Sequence, residues 1–106
     1  RIWTGNVMTF EPAIRFDYVT ALPEYVEPAS RRDLIERLAL VYLKPGGRII
    51  LSCYGPGAFI AGNPAPAQSA AEILRDAGYA PAGEAQAIDA PSGMVKTRVA
   101  WVDIRR

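Results

Sequence analysis

The chemistry open to this sequence is bounded first by what it lacks: its 106 residues include no histidine. The commonest general base near neutral pH and the commonest metal ligand are therefore missing. Cys53 is the sole cysteine. With no histidine to activate it and an apolar strand segment around it, it reads as a core residue and not as a nucleophile. Gly46-Gly47 precedes a strand, whereas a phosphate-cradling loop opens a helix, so this pair reads as a turn. Gly5-Asn6 taken alone is also a turn signal. Arg31, Arg32 and Arg37 read as the solvated face of a helix. Glu24 and Tyr25 fall in a loop between two prolines, the kind of segment on which binding groups are carried.

The composition limits the possible partners. Twelve basic and eleven acidic residues leave a formal charge of +1, too small a field to draw in nucleic acid or an acidic membrane surface. Neither is an expected partner. No apolar run approaches the ~20 residues of a membrane-spanning helix, and the first residues lack the basic-then-apolar order of a signal peptide. A lone cysteine suits a reducing compartment, so the expected location is the cytoplasm. The chain opens at Arg1 in text that already reads as mid-domain, without an initiating methionine. A segment upstream is expected.

The elements that must position these residues follow from periodicity. After a strand stub at Ile2-Trp3, residues 16–22 (Phe-Asp-Tyr-Val-Thr-Ala-Leu) are short and rich in β-branched and aromatic types, as a largely buried strand is. Ser30 with Asp33 three residues on resembles a capping box, and Leu34, Ile35, Leu38, Val41 and Tyr42 recur at helical spacing. Lys44-Pro45-Gly46-Gly47 stops that helix, and residues 48–54, with Ile49-Ile50-Leu51, predict a central strand. Strand, helix and strand in this order make a right-handed βαβ unit with two parallel strands. Residues 55–66 are rich in Gly, Pro and Ala and read as an irregular connection. A second helix carries Ala70, Ile73, Leu74 and Ala77, with Gly78 as its left-handed cap and Tyr79 folding back onto Leu74. Residues 82–89 and 95–104, joined at Pro91-Ser92-Gly93, predict an antiparallel hairpin. Trp101 and Tyr42 are expected in the core.

Three joints in this order resemble the class I S-adenosylmethionine-dependent methyltransferases. Gly5-Asn6-Val7 resembles that family's Gly-Asp-hydrophobic step, Phe16-Asp17-Tyr18-Val19 its fourth strand, and residues 43–51 (Leu-Lys-Pro-Gly-Gly-Arg-Ile-Ile-Leu) its passage from helix to fifth strand. The resemblance covers nearly the whole chain and implies an α/β fold. The chain would be part of a doubly wound Rossmann-like sheet, mostly parallel, ending in an antiparallel hairpin. In the family's strand order of three, two, one, four, five, seven, six, residues 1–106 would supply strands four to seven and a remnant of three, as the C-terminal part of one methyltransferase domain. The Gly-rich loop after the first strand and the acidic residue after the second would lie in the absent N-terminal half.

The resemblance further implies a cofactor, S-adenosylmethionine, and a small-molecule methyl acceptor. Carried over position by position, Gly5 opens the adenine step, the Asn6 side chain meets the adenine amino group, and the Val7 N–H meets a ring nitrogen. Thr20, Ala21 and Leu22 fall where the fourth strand ends, beside the sulfonium, since open α/β sheets bind ligands at these carboxyl ends. The loop with Glu24 and Tyr25 faces the acceptor, Tyr54 lines the same pocket, and Glu24 is the best-placed carboxylate to take a proton. Asp17 is a less suitable base because it lies within the strand. Methyl transfer needs mainly alignment, so few further groups are required. Asn63-Pro64-Ala65-Pro66 follows the fifth strand and lacks the aromatic of the Asn-Pro-Pro-aromatic motif of amino-group methyltransferases. It reads as loop.

Two alternatives stand beside this reading. A non-enzymatic α/β module, or a degenerate methyltransferase-like domain, would bind a partner or a second copy through the exposed edge of the strand at residues 16–22. A nicotinamide-dependent oxidoreductase suits the terminal antiparallel hairpin less well.

Overall fold

The computed structural model describes residues 5–23, 26–54, 59–60, 63–64, 69–88, 90–93 and 95–104. Strand β1 (Phe16–Ala21) pairs in parallel with β2 (Leu43–Tyr54), and Thr20 stands opposite Ile50 and Ala21 opposite Leu51. The sequence-predicted βαβ unit is present.

Between these strands the chain makes a 3-10 turn at Pro28–Ser30 and then helix α1 (Arg31–Arg37), which widens into a π turn over Leu38–Tyr42. Leu34, Ile35, Leu38, Ala39 and Tyr42 form the buried stripe, so the helix exists to cover the sheet. Arg15 Nη1 donates to the carbonyls of Leu40 at 2.6 Å and Leu43 at 3.1 Å, which satisfies oxygens that the helix end leaves open. The capping box expected at Ser30 is not formed. Ser30 already has helical backbone angles, φ −99° and ψ −4°, and its side chain caps nothing.

The Pro-Gly-Gly turn sits inside the start of β2 as a bulge. Phe16 pairs with Leu43 and Tyr18 with Arg48, so the register shifts across it. Gly46 adopts φ +83°, a left-handed angle that suits glycine. Gly47 is required by space, since a Cβ there would stand 2.8 Å from Leu43 Cδ2 and 2.9 Å from the Lys44 carbonyl oxygen. The bulge is bound to the residue that follows β6, the strand beside β2: the Gly46 N–H donates to the Ile104 carbonyl at 2.6 Å, and the Ile104 N–H to the Gly47 carbonyl at 2.7 Å.

A two-residue ladder, β3 (Phe59–Ile60) with β4 (Asn63–Pro64), precedes helix α2 (Ala70–Asp76). Ser69 caps α2: its hydroxyl accepts from the Glu72 N–H at 3.2 Å. At the other end the Tyr79 N–H donates to the Leu74 carbonyl and the Gly78 N–H to that of Arg75, with Gly78 at φ +94°. This is the expected left-handed stop. Strands β5 (Gly83–Ile88) and β6 (Val95–Asp103) form the antiparallel hairpin, and the sheet order is β1-β2-β6-β5. With β1 to β2 parallel and β6 antiparallel to both neighbours, this is the order that the last four strands of the resembled sheet require.

Both helices pack on one face of the sheet. Ile49, Leu51 and Cys53 of β2 and Ala100 and Val102 of β6 are buried together with Leu34, Ile35, Ile73 and Leu74, each large aliphatic side chain contributing about 2 kcal/mol of burial. Alternation sends Tyr18, Thr20, Ile50 and Trp101 to the other face, where Tyr18 is 67% exposed. Trp101 is thus only half-buried and not a core residue as expected. It lies against Gly83, where a Cβ would stand 2.3 Å from its ring.

Candidate functional site at the carboxyl end of the parallel pair

The parallel pair places Thr20, Ala21 and Leu22 at the carboxyl end of β1, alongside Ile50 and Leu51 of β2. Thr20 is exposed, Ala21 is half-buried and Leu22 is 52% exposed although apolar. Immediately beyond, Pro23 is fully buried and the chain turns, with the Val26 N–H donating to the Pro23 carbonyl at 3.0 Å. Glu24 and Tyr25 lie outside the described residues, as does the Tyr54 side chain.

The expectation for the arginines at α1 needs correction. Arg32 alone is solvated, paired at 3.6 Å with the exposed Glu36. Arg31 is buried, at 6% exposure, with Nε donating to the carbonyls of Pro23 at 3.1 Å and Val26 at 3.2 Å. Arg37 reaches the N-terminal segment: Nε donates to the Val7 carbonyl at 2.9 Å, and Nη2 to the Phe10 carbonyl at 2.6 Å and to Glu11 at 3.2 Å. The Tyr42 hydroxyl donates to the same Val7 carbonyl at 2.8 Å.

These bonds hold the turn at Gly5–Phe10 against α1. Within it the Asn6 Oδ1 accepts from the Met8 N–H at 2.9 Å, and the Asn6 carbonyl accepts from the Phe10 N–H at 2.8 Å. Gly5 and Val7, with Phe10, Phe16 and Tyr42, line an apolar hollow of about 230 Å³. Phe16 begins β1 and Thr20 and Ala21 end it. That hollow includes Phe16 of β1 but none of Thr20, Ala21 and Leu22.

Other polar groups lie away from this edge. Asp17, near the start of β1, pairs with Lys44 at 3.5 Å, both side chains being largely exposed. Arg48 and Asp103 form a two-pronged ion pair across β2 and β6 at 2.7 and 3.1 Å. The carboxylate raises the Arg48 pKa above its ordinary value, chiefly through this hydrogen bond. Cys53 is buried in the core, as its sequence context implies. Among the described residues no group of His, Cys, Asp and Glu is placed to hold a metal ion, and no helix is long and apolar enough to cross a membrane.

A cleft of about 450 Å³ opens beside the start of α2, lined by Ser69, Glu84, Gln86 and Arg98 together with alanines and Val99. Its residues come from three segments of the chain, at 69–71, 84–86 and 98–99, so no local motif in the sequence marks it.

No protein-family model matches the sequence, and no curated protein matches it. Solved structures do match. The Burkholderia thailandensis 1,6-didemethyltoxoflavin-N1-methyltransferase, with bound 1,6-didemethyltoxoflavin and S-adenosylhomocysteine, superposes with a TM-score of 0.70 at 22% identity, over 94% of this chain and 48% of that one. The N-methyltransferase NodS from Bradyrhizobium japonicum WM9 gives a TM-score of 0.66 at 20% identity, over 96% and 58%. The glycopeptide N-methyltransferase MtfA, complexed with S-adenosylhomocysteine, gives 0.68 at 13% identity, over 96% and 59%. The chain spans about half the length of these structures. It has, over that half, the Rossmann-like fold of the class I methyltransferases.

Proposed function

We propose that the protein carrying this chain transfers a methyl group from S-adenosylmethionine to a small-molecule acceptor. The observation that carries the reading is the sheet itself. A parallel pair is followed by a hairpin whose last strand inserts between β2 and β5, and enzymes crystallised with S-adenosylhomocysteine superpose on this fold over nearly the whole chain.

The residues at the carboxyl end of β1 fit such a ligand. Leu22 presents apolar surface to solvent, the exposed Thr20 offers a hydroxyl, and the parallel pair leaves room at the strand ends. At the other end of the site, Asn6 is exposed, and its carbonyl oxygen keeps a second lone pair beyond the Met8 bond for an adenine amino group. The N–H of Val7 would meet a ring nitrogen, with Gly5 opening the step. When bound, the cofactor supplies a methyl group already activated by its sulfonium. The protein's part is then to orient the two reactants and exclude water. Glu24, as the carboxylate that takes a proton from the acceptor, and Tyr25, as a wall of the acceptor pocket, enter this reading from the sequence alone.

A second reading has one observation behind it. Among the described residues β1 pairs only with β2, and an open strand edge invites another chain. In this alternative the domain is an interaction module, or a homodimer joined through β1. Titration calorimetry with S-adenosylhomocysteine separates the two: saturable binding supports the enzyme, while no binding together with concentration-dependent dimerisation supports the module.

A further inference from the structure

Arg31 occupies a position that physical chemistry disfavours twice. It is the first residue of α1, where the positive end of the helix dipole repels a cation. It is also buried, at 6% exposure, the one charged side chain so placed among the described residues, and burial of a cation costs several kcal/mol unless it is well paired. What offsets these costs is visible: the Nε–H is shared between the carbonyls of Pro23 and Val26, at 3.1 and 3.2 Å.

Those carbonyls belong to the segment that follows Leu22. Pro23 is fully buried, and its carbonyl also accepts the Val26 N–H, so the guanidinium closes a short turn directly behind the end of β1. On its other side Arg31 shares a groove of about 60 Å³ with Ile73, Asp76 and Ala77 of α2. One side chain thus ties the exit of β1 to the start of α1, beside a groove whose other wall is α2. A solvated helix-face arginine would link nothing.

We infer that Arg31 is a positioning residue for the ligand edge formed by Thr20, Ala21 and Leu22. This rests on the proposed methyltransferase reading. By holding the Pro23 and Val26 carbonyls, Arg31 sets the direction in which the chain leaves β1, and with it the height at which Leu22 stands. It touches no reactant. It acts through the backbone of the turn.

The test uses the protein carrying this chain, with S-adenosylhomocysteine as probe, and three variants. Arg31→Met removes the cation and its donors, Arg31→Lys keeps a cation and donors, and Arg15→Met removes a different carbonyl-capping arginine at the far end of the sheet. Two quantities are read: probe affinity by calorimetry, and amide exchange at Val26 relative to Ile104, whose N–H bonds the remote Gly47 carbonyl.

In Arg31→Met, affinity falls and Val26 exchange rises, each on the order of tenfold, while Ile104 is unchanged. Arg31→Lys recovers most of both, and Arg15→Met leaves affinity at the parent value. Parent-like affinity and Val26 exchange in Arg31→Met overturn the inference. So does equal acceleration at Val26 and Ile104, which would make Arg31 a general stabiliser. A parent that does not bind the probe refutes the methyltransferase reading instead, and the contrast between Val26 and Ile104 then decides the role of Arg31 in the turn.

Discussion

Ser69 and Ser30 both precede a helix and both have an acidic residue three positions on, yet only Ser69 caps its helix. The difference lies in the backbone. Ser69 is extended, with ψ 165°, which aims its hydroxyl at the Glu72 N–H. Ser30 is the last residue of a 3-10 turn, with ψ −4°, and its side chain makes no cap bond. A cap needs the extended approach as well as the residue type.

Replacing Ser69 with alanine therefore lowers stability by about 1 kcal/mol, and replacing Ser30 changes it far less. Urea denaturation of the two variants beside the parent checks the contrast.

The bulge at the start of β2 makes a second prediction. Gly47→Ala forces a Cβ to within 2.8 Å of Leu43 and 2.9 Å of a carbonyl oxygen, and the buried Leu43 has little room to yield. A loss of about 2 kcal/mol or more is expected. The thermal midpoint should fall accordingly, whereas Gly5→Ala, which meets nothing within 4 Å, should leave it near the parent value.

Tyr42 supplies a third. Its hydroxyl is shared between the carbonyls of Val7 at 2.8 Å and Phe10 at 3.4 Å, so Tyr42→Phe removes this hydrogen bonding to the N-terminal turn while keeping the ring against Phe10. Stability falls by about 1 kcal/mol. Amide exchange at Phe10, whose N–H bonds the Asn6 carbonyl, rises more than at Tyr79 in α2's cap.

Asn6 is tested by its acceptor oxygen. Asn6→Ala removes it and weakens S-adenosylhomocysteine binding several-fold, whereas Asn6→Asp keeps an acceptor for both the Met8 N–H and the base and binds nearly as the parent does. Equal affinity in all three proteins takes Asn6 out of the site.

Much of this fold was legible in the chain. The continuous apolar run Ile49-Ile50-Leu51 is what a strand covered by helices shows, and Gly78 after Ala77 marks where α2 stops. Sheet order was legible only through resemblance, because nothing in a strand's own sequence says which neighbour it takes. Trp101 misleads since its size suggests the core, yet alternation puts it on the face opposite the buried Ala100 and Val102. Arg31 stands three and four residues before Leu34 and Ile35, which places it on the buried stripe, but a cation there reads as solvated until the carbonyls of Pro23 and Val26 are seen around it. The candidate site was legible at its β1 edge. The hold of Arg37 and Tyr42 on the Val7 carbonyl was not, being made between segments far apart in the chain.

The central claim is that a nucleoside sulfonium cofactor binds across the carboxyl end of β1. Backbone amide chemical-shift mapping of the intact protein with S-adenosylhomocysteine tests it most directly. Saturable shifts are expected at Thr20, Ala21 and Leu22 and at Asn6 and Val7, with little change at Arg48 and Asp103. Shifts confined to Arg48 and Asp103, or none at any concentration, would contradict it.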